Sequence, residues 1–214
     1  GAAMGISAAL KFSKAQMKDS LSAAAASAAG LLEVIDDDSE LKPFNIGRAS
    51  LDGLTAAYVG RSGIKGPNDI VGGKRGFFAL MSETNDPSSL NRDPKGVYGI
   101  EMIYRKPYAA CRHCHAPIEA AINLKEKHNI ISSDIEAINV STYLLAVKGH
   151  DHINIQGITS AKMSIPYSVA VAFETGKAGL NEFLPEYIDN KKISALTKKV
   201  KVIEDNELSA LVPE

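Results

Sequence analysis

The chain has 214 residues, 24 Lys and Arg against 25 Asp and Glu for a net charge of −1, 45% hydrophobic and 23% charged residues, and only two cysteines, Cys111 and Cys114. That length suggests one or two domains, and the balance is that of an ordinary globular protein with enough apolar material for a core. It gives no argument for nucleic acid or an anionic membrane as partner, contains no apolar run near the roughly 20 residues of a membrane span, and supplies too few cysteines for a secreted disulfide framework.

The start, Gly1-Ala2-Ala3-Met4-Gly5, has no basic region and no cleavage site, so no signal peptide is read there. It reads as the middle of a helix, and a reducing cytoplasm is the expected compartment. Ser13-Lys14-Ala15-Gln16 fits a capping box ahead of an Ala-rich helix running to about Gly30, whose small-residue run Ser22–Ala29 allows close helix packing. Asp36-Asp37-Asp38 reads as a solvated turn. Pro43 opens a further helix through Tyr58, with Leu51, Leu54 and Tyr58 on one face and Gly47 and Gly53 interrupting it. Pro67 is placed to start another helix ending near Met81.

Ser82–Gly96 is rich in Asn, Asp, Pro and Ser and reads as a loop or linker, after which the pattern changes. Val97–Arg105 alternates as a strand does. Pro117 fits the first turn of a helix that continues through Ile118, Ala121 and Ile122. Alternation returns over Asp134–Val147, a helix is expected from about Ala161 to Thr175 with Gly176 as its stop, and a short helix near Ile193–Lys198 and a strand Val200–Glu204 follow. The fold class is therefore α+β, with residues 1–96 part of a helical domain and 97–214 an α+β domain.

The densest chemistry lies in Arg105-Lys106-Pro107-Tyr108-Ala109-Ala110-Cys111-Arg112-His113-Cys114-His115. A helix start offers unpaired N–H groups and a partial positive charge, and Lys106, Arg112 and two histidines beside it suit a carboxylate. The bland alternative is a basic loop without a ligand. Cys111-Arg112-His113-Cys114-His115 also matches the string that attaches c-type haem, and the cysteines alone match a redox pair. A zinc site from these cysteines lacks a second ligand pair at ordinary spacing; His150-Asp151-His152 is a distant source, though a polar loop is the preferred reading of it. Cys111 and Cys114 are expected to be reduced and metal-free. Lys42, just before Pro43, sits at another positive helix end, where an ordinary surface lysine is the competing reading.

Three segments together bear a resemblance. Lys42-Pro43-Phe44-Asn45-Ile46-Gly47-Arg48-Ala49, Lys106-Pro107-Tyr108 followed by Cys111, His115 and Ile118-Glu119-Ala120, and Ala161-Lys162-Met163-Ser164-Ile165-Pro166-Tyr167-Ser168-Val169-Ala170 resemble, in this order, motifs of the MmgE/PrpD family. The likeness runs nearly the whole chain. That family includes 2-methylcitrate dehydratases, cis-aconitate decarboxylases and iminodisuccinate epimerases, built from a large helical domain and a smaller α+β lid.

The resemblance implies a cofactor-independent lyase acting on a small di- or tricarboxylate through a carbanion next to a carboxylate, dehydration being the family's most familiar activity. An epimerase, a decarboxylase or a non-catalytic module are the alternatives. It implies Lys42, Lys106 and His115 as catalytic residues, Arg48, Arg112 and His113 as substrate-binding residues, no metal, and a homodimer for the full-length enzyme. The two lysine segments are expected to serve one cleft. Cys111 stands where the decarboxylase branch has a histidine and Asn45 where many members have one, so the substrate stays unassigned. Family members extend further at both ends, so the chain is expected to be an interior piece, without the amino-terminal Asp and His residues of the active site or the returning carboxy-terminal segment.

Overall fold

A computed structural model describes residues 1–35, 41–83 and 96–212. The triple-aspartate turn and most of the Ser82–Gly96 loop lie outside the described residues. These residues cluster into two compact units, one drawn from Gly1–Leu32 and Leu41–Ile103, the other from Glu33–Glu40 and Tyr104–Glu214. No described helix is long and apolar enough to cross a membrane.

The first unit is helical: α1 (Ala2–Ala9), α2 (Lys14–Ala26), α3 (Lys42–Arg61) and the short α4 (Phe77–Met81). The Ser13 hydroxyl accepts the Gln16 N–H while the Gln16 side chain accepts the Ser13 N–H, which completes the capping box and starts α2 where the sequence indicated. Pro43 occupies the first turn of α3, where its missing N–H has no cost.

The Leu51, Leu54 and Tyr58 face of α3 is exposed, and the helix buries Gly53, Ala56, Ala57 and Gly60 instead. A Cβ on Gly60 would lie 2.6 Å from the Gln16 carbonyl and from the Ser20 N–H, and one on Gly53 would lie 3.0 Å from the Ala3 N–H. Backbone meets backbone there, and only a residue without a side chain permits it. The Ser20 and Ser22 hydroxyls fold back onto the α2 carbonyls of Gln16 and Lys18, so these polar groups enter the contact already satisfied. Below them, Asp19 accepts the Gly66 N–H at 2.9 Å and pairs with Lys18 at 2.7 Å, while Lys18 donates to the Gly66 carbonyl at 2.8 Å.

Two other sequence readings are corrected in this stretch. Pro67 does not open a long helix: Asp69 accepts the Gly72 N–H, Gly76 closes a turn on Gly73, and helix forms only at Phe77–Met81. Gly72, Gly73 and Gly76 favour these turns over a continuous helix. Val97–Arg105 is not a strand either. Among the described residues β1 pairs only with β2, so this alternating segment has no ladder to join. Gly99–Met102 instead forms a 3₁₀ turn in which the Glu101 carboxylate accepts the Tyr98 N–H.

The second unit is built around one helix. In chain order it holds α5 (His115–His128), β1 (Ile138–Thr142), α6 (Leu144–Val147), α7 (Ile158–Met163), α8 (Ile165–Thr175), α9 (Pro185–Ile188), α10 (Lys191–Thr197), β2 (Val200–Glu204) and α11 (Asn206–Ala210). Every residue of α8 from Ile165 to Phe173 is buried, as an all-round apolar helix must be. Helices α5 and α10 and strand β2 pack against it. Each fully buried Val, Ile or Phe side chain there stabilises the unit by about 1.5–3 kcal/mol.

Strands β1 and β2 pair in parallel, Ile138 beside Val200 through Thr142 beside Glu204. The strand read at Asp134–Val147 is thus shorter, with α6 occupying its end. The helix read at Ala161–Thr175 is two helices, broken at the extended Ser164. Pro166 cannot donate a helical hydrogen bond, and the Ser164 hydroxyl accepts the Tyr167 N–H to cap the second helix. Gly176, at φ +74°, ends it as expected.

Two outcomes follow. Gly60→Ala forces backbone apart between α2 and α3 and should destabilise the protein by about 1–3 kcal/mol, read as a lower thermal midpoint; an unchanged midpoint would refute the close approach. Asp19 is held below its ordinary value of 3.8, first by the Lys18 side chain and then by the Gly66 N–H. A lowered carboxylate stabilises the fold above that value and loses its contribution as pH falls below it. Asp19→Asn should therefore be less stable than the parent near neutral pH, with the difference shrinking in acid; a pH-independent difference in thermal midpoints would contradict this.

Candidate functional site

The segment singled out in the sequence wraps the start of α5. After exposed Lys106, the chain turns through Ala109, whose N–H donates to the Ala178 carbonyl, and Cys111, whose N–H donates to the Lys162 carbonyl at 2.7 Å. A 3₁₀ turn, Arg112–Cys114, then leads into α5, whose first turn carries no acidic side chain. A helix start without a carboxylate of its own keeps its positive end available for an anion.

The Ala110 carbonyl gathers two of the candidate residues. Lys106 Nζ donates to it at 3.4 Å, and His115 Nε2 lies 3.3 Å from it. His115 is 2% exposed, its ring edge-on to Tyr108, and its Nδ1 has no hydrogen-bond partner among the described residues. Burial, outweighing the Ala110 carbonyl, lowers its pKa, and the nearby charges of Arg112 and Lys106 act in the same direction. It is a neutral, enclosed imidazole. Arg112 is exposed and lies over the Tyr104 ring at 4.9 Å.

His113 is half-buried and faces the other way. Its Nδ1 is 2.5 Å from the Tyr143 hydroxyl, and its ring stacks edge-on against Tyr143 and against His150, with centroids 5.5 and 4.7 Å apart. Burial raises the Tyr143 pKa, which keeps the phenol protonated. His150 Nε2 lies 3.3 Å from Cys111 Sγ. Tyr143 is the neighbour of the segment that sequence reasoning missed, whereas His150 was weighed as a distant ligand source and set aside for a polar loop. His150 had a signal in the His150-Asp151-His152 string; Tyr143, one residue past β1, had none.

The cysteines part company. Both are thiols outside any disulfide. Cys114 is fully buried with its sulfur toward the Lys162 carbonyl, and burial pushes its thiol up to about 12. A buried Cys114 and a buried His115 do not present the exposed thioether and axial ligand that haem attachment requires, and a thiol held that high is not the reactive member of a redox pair.

The third motif, Ala161–Ala170, supplies the framework. Ser164 Oγ donates to the His152 carbonyl at 2.6 Å, the Ile165 N–H donates to the His150 carbonyl at 2.8 Å, and Ser160 bonds the His152 ring. Tyr167 is buried and donates to the Glu182 carbonyl. Lys42 and Arg48 belong to the first unit. Lys42 is the first residue of α3, half-buried, and Arg48 forms an ion pair with Asp52 one turn on at 3.0 Å.

The MmgE/PrpD N-terminal domain profile matches residues 1–90, and the MmgE/PrpD C-terminal domain profile matches residues 108–214. No curated protein matches the chain significantly. Two profiles of one family, in order and together spanning most of the sequence, show that this chain belongs to the MmgE/PrpD family.

Proposed function

We propose that this chain carries part of the active site of a lyase that dehydrates a small di- or tricarboxylate of the 2-methylcitrate kind through a carbanion next to a carboxylate. The observation that most supports this reading is that Lys106 and Arg112 both lie near enough to act on buried His115, beside an α5 start with no acidic side chain. Membership of a family made up mostly of lyases supports that reaction class.

Removing a proton beside a carboxylate adds charge to an existing anion, and such an intermediate needs fixed cations and hydrogen-bond donors. Lys106 and Arg112 supply those for the substrate carboxylates. An imidazole can take and give that proton near neutral pH. His113 is half-buried and can reach a ligand, whereas His115 is enclosed and ties the Ala110 carbonyl that Lys106 also touches. In this reading His113 transfers the proton and His115 positions the turn. Lys42 and Arg48 enter through the family motif alone.

A decarboxylase would reach the same carbanion by losing CO₂, and an epimerase would reprotonate it on the other face. A screen of 2-methylcitrate, cis-aconitate and iminodisuccinate on the full-length protein separates the three. On whichever substrate is turned over, Lys106→Ala should lower kcat/KM on the order of 10²-fold or more, the range for losing one oxyanion donor, with an unchanged thermal midpoint. Near-normal turnover in that variant would remove Lys106 from the mechanism, and no turnover of any tricarboxylate would sink the reading itself.

A further inference from the structure

Cys111 Sγ, one ring nitrogen of His113 and one of His150 all lie within 4.8 Å of one another. The lyase reading uses only one of the three. We propose that Cys111, His113 and His150 form a binding site for a borderline-soft divalent cation of the Zn²⁺ class, with the fourth position open to water or to a carboxylate oxygen.

The donor set selects the ion. One thiolate and two imidazoles suit Zn²⁺ and Co²⁺ and disfavour Mg²⁺ and Ca²⁺, which take oxygen ligands. The spacing also fits. Tetrahedral zinc, with metal–sulfur and metal–nitrogen bonds of about 2.3 and 2.0–2.1 Å, sets its sulfur and nitrogen ligands roughly 3.6 Å apart. Cys111 Sγ and His150 Nε2 are already 3.3 Å apart, so a small outward shift admits the ion.

The outer shell is in place as well. His150 Nδ1 lies 2.9 Å from the Lys148 carbonyl, so Nδ1 carries the proton and donates it there. That tautomer leaves the Nε2 lone pair aimed at the Cys111 sulfur, the arrangement by which protein metal sites orient a histidine. The Tyr143 hydroxyl meets His113 Nδ1 and orients that ring. Main-chain bonds hold both loops before any ion arrives, from Cys111 to Lys162 and from Ile165 to His150. His150 is 6% exposed while Cys111 and His113 are half-buried, which gives an enclosed floor and an open mouth. Cys114 is not a ligand, since its sulfur faces the Lys162 carbonyl.

A bound cation would take the His113 lone pair out of proton transfer, so the ion inhibits the reaction; this consequence rests on the lyase reading, whereas metal binding does not. The test is a Co²⁺ titration of the chelator-treated, reduced full-length protein. One Co²⁺ per chain should bind with a near-ultraviolet thiolate-to-cobalt absorption and the intense visible bands of a four-coordinate ion, both abolished by added Zn²⁺. Cys111→Ser should remove the near-ultraviolet band, and His150→Gln should weaken binding by more than about 100-fold, beyond the usual loss from outer-shell changes. Thermal melts of both variants check that they fold. Absence of the band in the parent protein, or its persistence in both variants, would overturn the site. These spectra read the metal site whether or not a tricarboxylate is turned over, so the two proposals fail separately.

Discussion

Two loops far apart in sequence are held by one interruption in a helix. Where α7 gives way to α8, extended Ser164 leaves main-chain groups that a continuous helix would have consumed. The Lys162 carbonyl receives Cys111, the Ile165 N–H reaches His150, and the Ser164 hydroxyl reaches His152. Buried polar groups must find partners, and here they find them in the two loops that carry cysteine and histidine. Because α8 is buried on all sides, the junction at its start is the most firmly placed point from which to hang such loops. The sequence Ala161–Ala170, one of the three segments that carry the family resemblance, therefore reads as scaffold.

What was legible from the sequence was local. The capping box at Ser13, the Pro43 helix start, the Gly176 stop and the bounds of β2 each depend on residues within a turn or two of the feature. Other features needed partners elsewhere in the chain. Alternation at Val97–Arg105 describes a strand only if a neighbour completes the ladder, and β1 and β2 use each other. Large apolar residues at helical spacing share a face of α3, but its closest packing comes through Gly53 and Gly60. At the candidate site, Lys106 through His115 stood out as one contiguous stretch. The approach of Tyr143 and His150 to it depends on the β1 turn and on the bonds to Ser164 and Ile165, which no spacing rule encodes.

The segment also shows how one short stretch divides its labour. Residues from Cys111 to His115 point into different surroundings: Cys111 and His113 toward His150 and Tyr143, Cys114 and His115 into the core. Burial makes the second pair inert by disfavouring their charged forms. The half-buried pair keeps contact with polar neighbours and with solvent. Similar residue types thus differ in reactivity through burial more than through identity.

The parallel pairing of β1 with β2 has a kinetic consequence. Ile138 meets Val200 only after the chain between them, including α8, has been brought round, and Cys111 meets His150 only across a comparable detour. Loop closure of that size costs entropy before any hydrogen bond compensates it, so non-local parallel pairs form slowly. During synthesis or refolding the second unit therefore passes through a stage in which its thiols and imidazoles are present but scattered, and Cys114, later sealed in the core, is briefly open to oxidation. The period of greatest chemical vulnerability for this protein precedes the assembly of its site.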